Sequence, residues 1–565
     1  MKKIHLLFIL TLCCASLTQA QSIPVGTPGI EDFYRRAQLL GQLDSSYSFT
    51  SWPFFPTLLD KKGYLTPEVT PILSGFEPQN QATPPGEKEK ISFRILPVTW
   101  QQQLNSNHPE GLNDGAMIPA RGYQTYLTGG VYAKYKWLSV QLKPELVYAQ
   151  NKAYQGFPDA HPDAVWKSYY ENVIHMVDLP ERFGDKSYQK AFWGQSSIRL
   201  TLGAISLGLS NENLWWGPGI QNALLMTNVA PGFKHLTLNT VKPIRTGIGS
   251  FEGQLISGRL EASGYPNIDP QRLQEHHVAN VPKPEDWRYL NAIVLSYQPK
   301  WVPGLFLGLI RSFSVYRNDM GNKLVDYLPV IMPITKKSLG GFDDDERREN
   351  QLASLFMRWV APEAHQEIYL EYGREDHNYD LHDFMQEPSH SSAYLLGFRK
   401  IIPLNRHPGA QIDLNMELTQ LENNVSTTQR AGGHWYEHYQ VRDGYTHNGQ
   451  YLGAGIGTGS NMQTFTISWV KELKRVGLEF KRVVHNNDFW FYAIKDYRSH
   501  WVDFGGSLLG EWNYKKLLFN ARIETLGSIN YQWLYDPVPS DPPYWWDRGK
   551  NLFNLHAVVG VSYCF

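Results

Sequence analysis

The chain has 565 residues, with 53 Lys and Arg against 54 Asp and Glu, which gives a formal net charge of −1 at pH 7. This balance argues against nucleic acid as a partner, because proteins that bind nucleic acid present a basic surface to the phosphates. The mean hydropathy is −0.39 and no apolar run beyond the N-terminus is long enough for a transmembrane helix, which argues against a helical membrane protein.

The first 20 residues have the pattern of a secretory signal peptide. Lys2 and Lys3 precede an apolar run from Ile4 to Leu12, and residues 18–20 are suited to cleavage after Ala20. Cleavage there removes two of the three cysteines, so we expect Cys564 to be left without an intramolecular disulfide partner. The signal predicts export from the cytoplasm of a Gram-negative bacterium.

Residues 21–90 are predicted to be an N-terminal periplasmic segment that contains one amphipathic helix. Thr27 and Pro28 are typical of a helix start, and apolar residues then recur at helical spacing from Ile30 to Leu40, which predicts a helix from Pro28 to Leu43. The apolar stripe of this helix needs a partner. We expect it in the near end of the following domain or in other N-terminal residues.

From Ile91 onward the dominant pattern is period-two alternation, which is typical of strands with one apolar face. In the last fifteen residues every second position from Phe553 to Phe565 is apolar. An apolar strand at the C-terminus suits a closed barrel in lipid, where the last strand pairs with the first. The terminal Phe565 also resembles the signal read by the outer-membrane barrel assembly machinery, which we expect as a partner.

Very short turns alternate with long polar loops along residues 91–565, as in outer-membrane barrels. The sequence therefore predicts an all-β fold, a transmembrane outer-membrane β-barrel of about 18 antiparallel strands with a short N-terminal periplasmic helical segment. We expect a monomer whose outer face contacts outer-membrane lipid. The predicted strands are 91–104, 124–137, 138–150, 192–202, 205–213, 248–256, 260–264, 287–298, 305–317, 350–361, 366–376, 392–402, 410–422, 462–471, 476–486, 504–513, 517–527 and 551–565.

Charged residues fall on the inward parity of several predicted strands. They include Lys134, Lys136, Glu145, Asp413 and Glu417. Unpaired charges are costly in an apolar core, so we expect this parity to face water in the lumen. A porin or solute channel therefore stays open as an alternative function.

The stretch Asn211–Thr246 is the most informative loop. It contains Asn213-Leu214-Trp215-Trp216-Gly217-Pro218-Gly219, then Thr227-Asn228, Pro231-Gly232-Phe233, His235-Leu236 and Lys242-Pro243. This run resembles the signature region of the Wzi family of capsule-assembly outer-membrane proteins, and weaker similarity extends over most of the chain. The resemblance implies an eighteen-stranded barrel with a helical periplasmic segment that binds capsular or other surface polysaccharide.

Aromatic residues make up 13% of the chain, and the outer loops combine them with polar groups that could bind sugar hydroxyls. For the adjacent tryptophans at 215 and 216, packing is the commoner role of such a pair. We expect all the candidates to lie on the extracellular side. The predicted carbohydrate-binding residues are Trp215, Trp216, Arg245, Tyr445, His447, Tyr544, Trp545 and Trp546.

The sequence gives little indication of a metal site or a catalytic site. His434 and His438 lie four residues apart, but in a glycine-rich loop without a third ligand at fixed spacing. Asp343, Asp344 and Asp345 lack the spacing of a calcium loop. No Ser, His and acid are spaced so that they would align, so a barrel lipid or glycan hydrolase is the weaker alternative. We expect no enzyme activity, no cofactor and no metal.

Overall fold

The computed structural model describes residues 22–55, 66–76, 91–331, 348–375, 381–424, 433–535 and 550–565. Eighteen antiparallel strands form a closed barrel in which the first strand pairs with the last, Trp100 lying opposite Val561. This confirms the predicted fold class. Among the described residues, no helix is both long and apolar enough to cross a membrane.

Three of the barrel strands are each interrupted once, at a bulge or break. The strands are β1 Ser92–Asn105, β2 Gly122–Tyr135, β3 Leu138–Leu142 with Glu145–Ala149, β4 Tyr188–Phe192 with Ser197–Leu202, β5 Ile205–Ser210, β6 His235–Thr240 with Ile244–Arg245, β7 Gly249–Leu260, β8 Arg288–Pro299, β9 Leu305–Tyr316, β10 Asn350–Ala361, β11 Gln366–Glu375, β12 Ser392–Pro403, β13 Ala410–Gln420, β14 Asn461–Lys471, β15 Lys474–Val484, β16 Val502–Tyr514, β17 Leu517–Ile529 and β18 Leu552–Tyr563.

Helices and short strand pairs are present in addition to the strands of the barrel wall. Two two-residue strand pairs are formed, Ser51–Trp52 with Trp215–Trp216 and Thr446–His447 with Gln450–Tyr451. The α-helices are α1 Ile30–Leu39, α2 Thr70–Phe76, α3 Asp163–Asn172, α4 Pro270–Glu275, α5 Leu324–Tyr327, α6 Leu381–Gln386 and α7 Asn487–Phe489, joined by the short helical turns Ile174–Met176, Pro329–Ile331, Pro362–Ala364, Trp490–Ile494 and Tyr531–Trp533.

The predicted strand parity is confirmed along the wall. On β18, Phe553 and Val559 are 62% and 54% exposed on the outside, whereas Asn554 and His556 are buried inside. Likewise Met416 on β13 is exposed, while its neighbours Asn415 and Glu417 face the interior. An apolar exterior with a polar interior is the pattern of a barrel in lipid.

Two errors of the strand prediction offset each other. The predicted strand 260–264 is absent, because β7 already ends at Leu260 and polar residues follow. The missed strand is β6, which begins at His235 within the stretch predicted to be a loop. Its signal was in the sequence, since Leu236 and Leu238 alternate with polar residues and are exposed on the outer wall. The number of strands was right although these two were not.

Short turns such as residues 203–204 and 472–473 close one end of the barrel, and long loops close the other. By the rule for outer-membrane barrels these are the periplasmic and extracellular ends. The strand β5 runs to the loop end and β6 returns from it, so residues 211–234 connect them there. These residues, which we call the lumen segment, turn inward instead of standing above the barrel.

Candidate functional site

The periplasmic half of the lumen is filled by residues 22–55, with α1 against the inner wall. Arg35 Nε donates to Glu367 Oε1 at 2.8 Å, and Arg358 Nε donates to Glu367 Oε2 at 2.7 Å. Arg358 also donates to Ser48 O at 2.7 Å and to Gln38 Oε1 at 2.8 Å. These buried charges are paired and hydrogen-bonded, as charges removed from water must be.

A second ion network joins the same helix to the next strands. Arg399 donates to Asp413 Oδ1 at 2.9 Å and to Asp32 Oδ1 at 2.5 Å. Asp32 in turn accepts from Arg36 Nε at 2.7 Å. We call residues 22–55 with these inward charges the floor. The polar face of α1 thus contacts the inner wall of the barrel. Its apolar stripe packs mainly with other N-terminal residues, as between Tyr34 and Phe54, whose ring centroids are 4.9 Å apart.

The lumen segment is held by two inward carboxylates. Glu417 accepts from the backbone N–H groups of Ile220, Gln221 and Asn222 at 2.7, 3.1 and 2.8 Å. Glu371 accepts from Leu224 N at 3.2 Å. The expectation that Glu145 and Glu417 face water is therefore wrong, because both are buried and contact protein groups. Asp413 is buried as well, but it lines an internal cavity of about 230 Å³. Lys136 lies in the turn after β2 instead of in the lumen.

The extracellular half of the lumen is closed by packed outer loops. Tyr436 OH donates to Leu224 O at 2.6 Å, and Thr227 N donates to Leu452 O at 2.7 Å. Trp435 and Tyr436 have no exposed surface and belong to one apolar cluster with residues of the lumen segment. We call residues 433–460 with the cluster around them the ceiling. Among the described residues, the order along the barrel axis is therefore floor at the periplasmic end, then lumen segment, then ceiling at the extracellular end.

Trp215 and Trp216 lie inside the barrel and not on its outer surface. Trp216 has no exposed surface, and its indole N–H donates to Gln254 Oε1 at 2.9 Å. Trp215 is 8% exposed and pairs with Trp52 of the floor. The following Gly217 has φ of 125° and donates to Thr50 O at 2.9 Å, a conformation that L side chains rarely adopt. Neither ring presents an open face to a glycan, which agrees with the packing role.

Arg245 lies at the wrong end for the role predicted for it. It ends β6 next to the short turn 246–248, at the periplasmic end, and forms an ion pair with Asp44 of the floor. The expectation of an extracellular Arg245 depended on treating Asn211–Thr246 as one outer loop. The strand β6 carries the chain across the membrane before Arg245.

Tyr445 and His447 are on the extracellular side but are enclosed in the ceiling. Tyr445 has no exposed surface, and its hydroxyl is 3.0 Å from Ser312 Oγ. His447 accepts from Glu261 N at 3.0 Å, and burial lowers its pKa to about 3, so the ring is neutral. Tyr445 therefore joins the ceiling to strand β9, and His447 joins it to the loop that follows β7. Tyr544, Trp545 and Trp546 lie outside the described residues.

A serine, a histidine and an aspartate that are distant in sequence do meet near the extracellular end. Ser528 Oγ is 3.2 Å from His108 Nε2, and Asp503 lies opposite Ser528 on the neighbouring strand, where it also binds a second histidine, His485, at 2.7 Å. Ser528 is 1% exposed and the other His108 nitrogen contacts Pro109 O, so this group is packed within the protein. Among the described residues, no three His, Cys, Asp or Glu side chains are arranged to hold a metal ion.

A closed eighteen-stranded wall with an apolar exterior, short turns at one end and long loops at the other defines an outer-membrane barrel. The profile of the family described as capsule assembly protein Wzi matches residues 111–525. The chain therefore belongs to the Wzi capsule assembly family. The matched region includes the lumen segment and most of the ceiling.

Three solved structures align with this chain at different levels of similarity. Wzi of Escherichia coli, described as an outer-membrane carbohydrate-binding β-barrel involved in group 1 capsule assembly, aligns with a TM-score of 0.58 at 12% identity over 97% of this chain and 100% of that chain. OccAB4 of Acinetobacter baumannii aligns with a TM-score of 0.38 at 8% identity, over 85% and 99% of the two chains. A BenF-like porin of Pseudomonas fluorescens has a TM-score of 0.38 at 7% identity, over 84% and 99%. No curated protein matches the sequence.

Proposed function

We propose that this protein is an outer-membrane lectin that binds surface polysaccharide at its extracellular face and assists capsule assembly or attachment without catalysing a reaction. The observation that carries the proposal is membership of the capsule assembly family over residues 111–525. The carbohydrate binding described for the Escherichia coli structure supports it. Outer-membrane lipid and the barrel assembly machinery are the other proposed partners, and the protein acts as a monomer.

The filled lumen favours a lectin over a porin or solute channel. Floor, lumen segment and ceiling follow one another between the two ends of the described barrel, joined by hydrogen bonds such as Gly217 N to Thr50 O and Thr227 N to Leu452 O. A channel of this strand number needs a water-filled path along its interior. Planar-bilayer recordings of the purified barrel should show no stable ion conductance, and steady open-channel currents would favour the channel.

Polysaccharide binding is tested with purified barrel and polysaccharide extracted from the surface of the same strain. We expect saturable binding in vitro, and release of cell-associated polysaccharide into the medium from cells that lack the protein. Unchanged capsule retention together with no binding in vitro would refute the proposal. A barrel of unrelated function from the same membrane serves as the control for nonspecific adsorption.

Tyr544, Trp545 and Trp546 remain the proposed contacts from the predicted set, since aromatic faces stack on the apolar faces of sugars. Replacing all three with Ala should release polysaccharide while the amount of folded barrel, measured by heat-modifiable gel mobility, stays normal. Retention of normal surface polysaccharide by the folded triple variant would exclude these three residues from the site.

A further inference from the structure

Three outer loops enclose a groove of about 190 Å³ on the extracellular side. They are residues 150–187, 261–287 and 433–460, which join different pairs of strands. Ile174 and Leu273 are buried apolar residues of its lining, and Tyr170 and Tyr265 supply aromatic surface. The groove lies among residues that the sequence had not singled out.

The size of the groove limits its ligand. A volume of 190 Å³ corresponds to about six water molecules, well below the space that a drug-sized ligand needs. One sugar ring of a polymer has this scale. An apolar lining with polar groups around it suits a pyranose ring, which presents C–H groups on its faces and hydroxyls at its edge.

Two polar groups of the groove have hydrogen-bonding capacity to spare. The Asn280 side chain is exposed, and its Oδ1 accepts from Tyr170 OH at 3.3 Å, while its Nδ2 has no acceptor among the described residues. The His175 ring contacts Tyr170 at a centroid distance of 5.6 Å, but neither ring nitrogen has a hydrogen-bond partner among the described residues. These groups can donate to and accept from sugar hydroxyls.

The cations of the groove are already engaged by the protein. Arg442 donates to the backbone carbonyls of Val281 at 2.7 Å, Pro282 at 2.9 Å and His175 at 3.4 Å. Lys283 Nζ donates to Val177 O, and burial lowers its pKa to about 8 against the opposing effect of Asp178 and Asp443. Arg442 thus uses three of its five N–H donors on loop carbonyls, which leaves less of the guanidinium to bind a carboxylate in a bidentate manner.

The surrounding surface disfavours an acidic polymer as well. The described outer loops other than the lumen segment contain 23 Asp and Glu residues against 14 Lys and Arg residues, a net charge of −9. Like charges facing one another across an interface weaken binding and slow encounter. For a neutral polymer, the negative charge of the loops neither weakens binding nor slows the encounter.

We propose that this groove binds one neutral, hydroxyl-rich sugar unit of the surface polysaccharide, which His175 and Asn280 recognise by hydrogen bonds. This rests on the proposed function, and it adds the place and the chemical class of the ligand. The polymer around that unit is uncharged over the length that contacts the outer loops.

The test separates extracted surface polysaccharide of the same strain into neutral and acidic fractions by anion exchange, and measures the binding of each to purified barrel. We expect the neutral fraction to bind wild-type barrel. His175→Ala and Asn280→Ala should each weaken this binding at least tenfold. His382→Ala and Asn322→Ala are matched controls at exposed positions of other outer loops and should bind like wild type. If an Ala variant fails to give a heat-modifiable barrel, His175→Gln and Asn280→Ser take its place.

Three other results of the binding test would each contradict a different part of the proposal. Binding of neither fraction to wild-type barrel would refute the proposed function itself. Binding of the acidic fraction alone would overturn the neutral class of the ligand. Neutral binding that is unaffected by the groove variants would show that the polysaccharide binds elsewhere on the extracellular face.

Discussion

The two halves of the barrel interior are closed by different physical means. The floor is held by buried ion pairs, in which Glu367 joins Arg35 to Arg358 and Asp32 joins the helix to Arg399. The ceiling is held mainly by aromatic and aliphatic packing, with Trp435 and Tyr436 at its centre. Charge pairs fix a unique register but lose much when one partner is removed, whereas apolar packing loses stability in proportion to the volume removed.

The use of ion pairs in the floor and of apolar packing in the ceiling follows from how each part is connected to the wall. The floor is a segment added to the wall, and complementary charges on α1 and the wall specify how it docks. The ceiling is built from loops that each begin and end on the wall, so their ends are already placed. We infer that the floor forms as one cooperative unit, while the ceiling can vary locally at the surface that faces the glycan.

The largest effect is expected from breaking the floor at Glu367. Glu367→Leu leaves Arg35 and Arg358 buried without their shared carboxylate, which should cost about 3–5 kcal/mol in the free energy of unfolding or prevent folding. The measurement is urea unfolding of the barrel in detergent. Glu363→Gln, in the adjacent periplasmic turn, is the control and should behave like wild type. A Glu367 variant of normal stability would mean that the ion network does not hold the floor.

Trp215 and Trp216 allow a direct test of the difference between floor and ceiling, because the two rings pack in different halves of the interior. Trp215 packs in the cluster of the floor, and Trp216 in the cluster of the ceiling. Each change to Ala should cost about 3–5 kcal/mol, because a large buried ring leaves a cavity. Folded barrel from the Trp216→Ala variant should show faster proteolysis of the outer loops, and that from Trp215→Ala faster proteolysis of residues 22–55. The same cleavage pattern from both variants would contradict the division into two halves.

The stability of the ceiling should depend on pH through one buried carboxyl group, that of Glu437. Burial raises the pKa of Glu437 from its ordinary 4.5 to about 8, with His434 and Asp488 nearby. The folded state therefore holds a proton that the unfolded state has released, so the stability contributed by protonated Glu437 falls as pH rises from 4.5 through 8. The loss between pH 6.5 and 8 should be at most roughly 2 kcal/mol.

Urea unfolding at several pH values tests this effect on wild type and Glu437→Gln. The difference between the two curves isolates Glu437 from other titrating groups. We expect the Gln variant to gain relative stability as pH rises. Parallel curves across the range would show that Glu437 is ionised in the folded ceiling.

The wall could be predicted from the sequence because its signal is local. Alternation on β18 and around Met416 indicates which residues of each strand face lipid, and the structure confirms this assignment. The filling of the lumen could not be predicted in this way. An inward Glu417 has the same pattern whether it meets water or the backbone of Ile220, and only the fold of residues 211–234 decides between them. The groove was missed because His175 and Asn280 lie 105 positions apart on separate loops.

The smallest effect is expected at Arg245, and it tests the position of the floor. Arg245 is exposed for 69% of its side chain and pairs with Asp44, so the pair should contribute at most about 1 kcal/mol in the screened periplasm. Arg245→Ala should therefore leave both stability and polysaccharide binding close to wild type. In a protein that also carries Cys13→Ser, Cys14→Ser and Cys564→Ser, the Arg245→Cys variant should resist a membrane-impermeant thiol reagent added to intact cells and react after the outer membrane is opened. Labelling on intact cells would put residue 245 outside and reverse the strand directions, and with them the assignment of floor and ceiling.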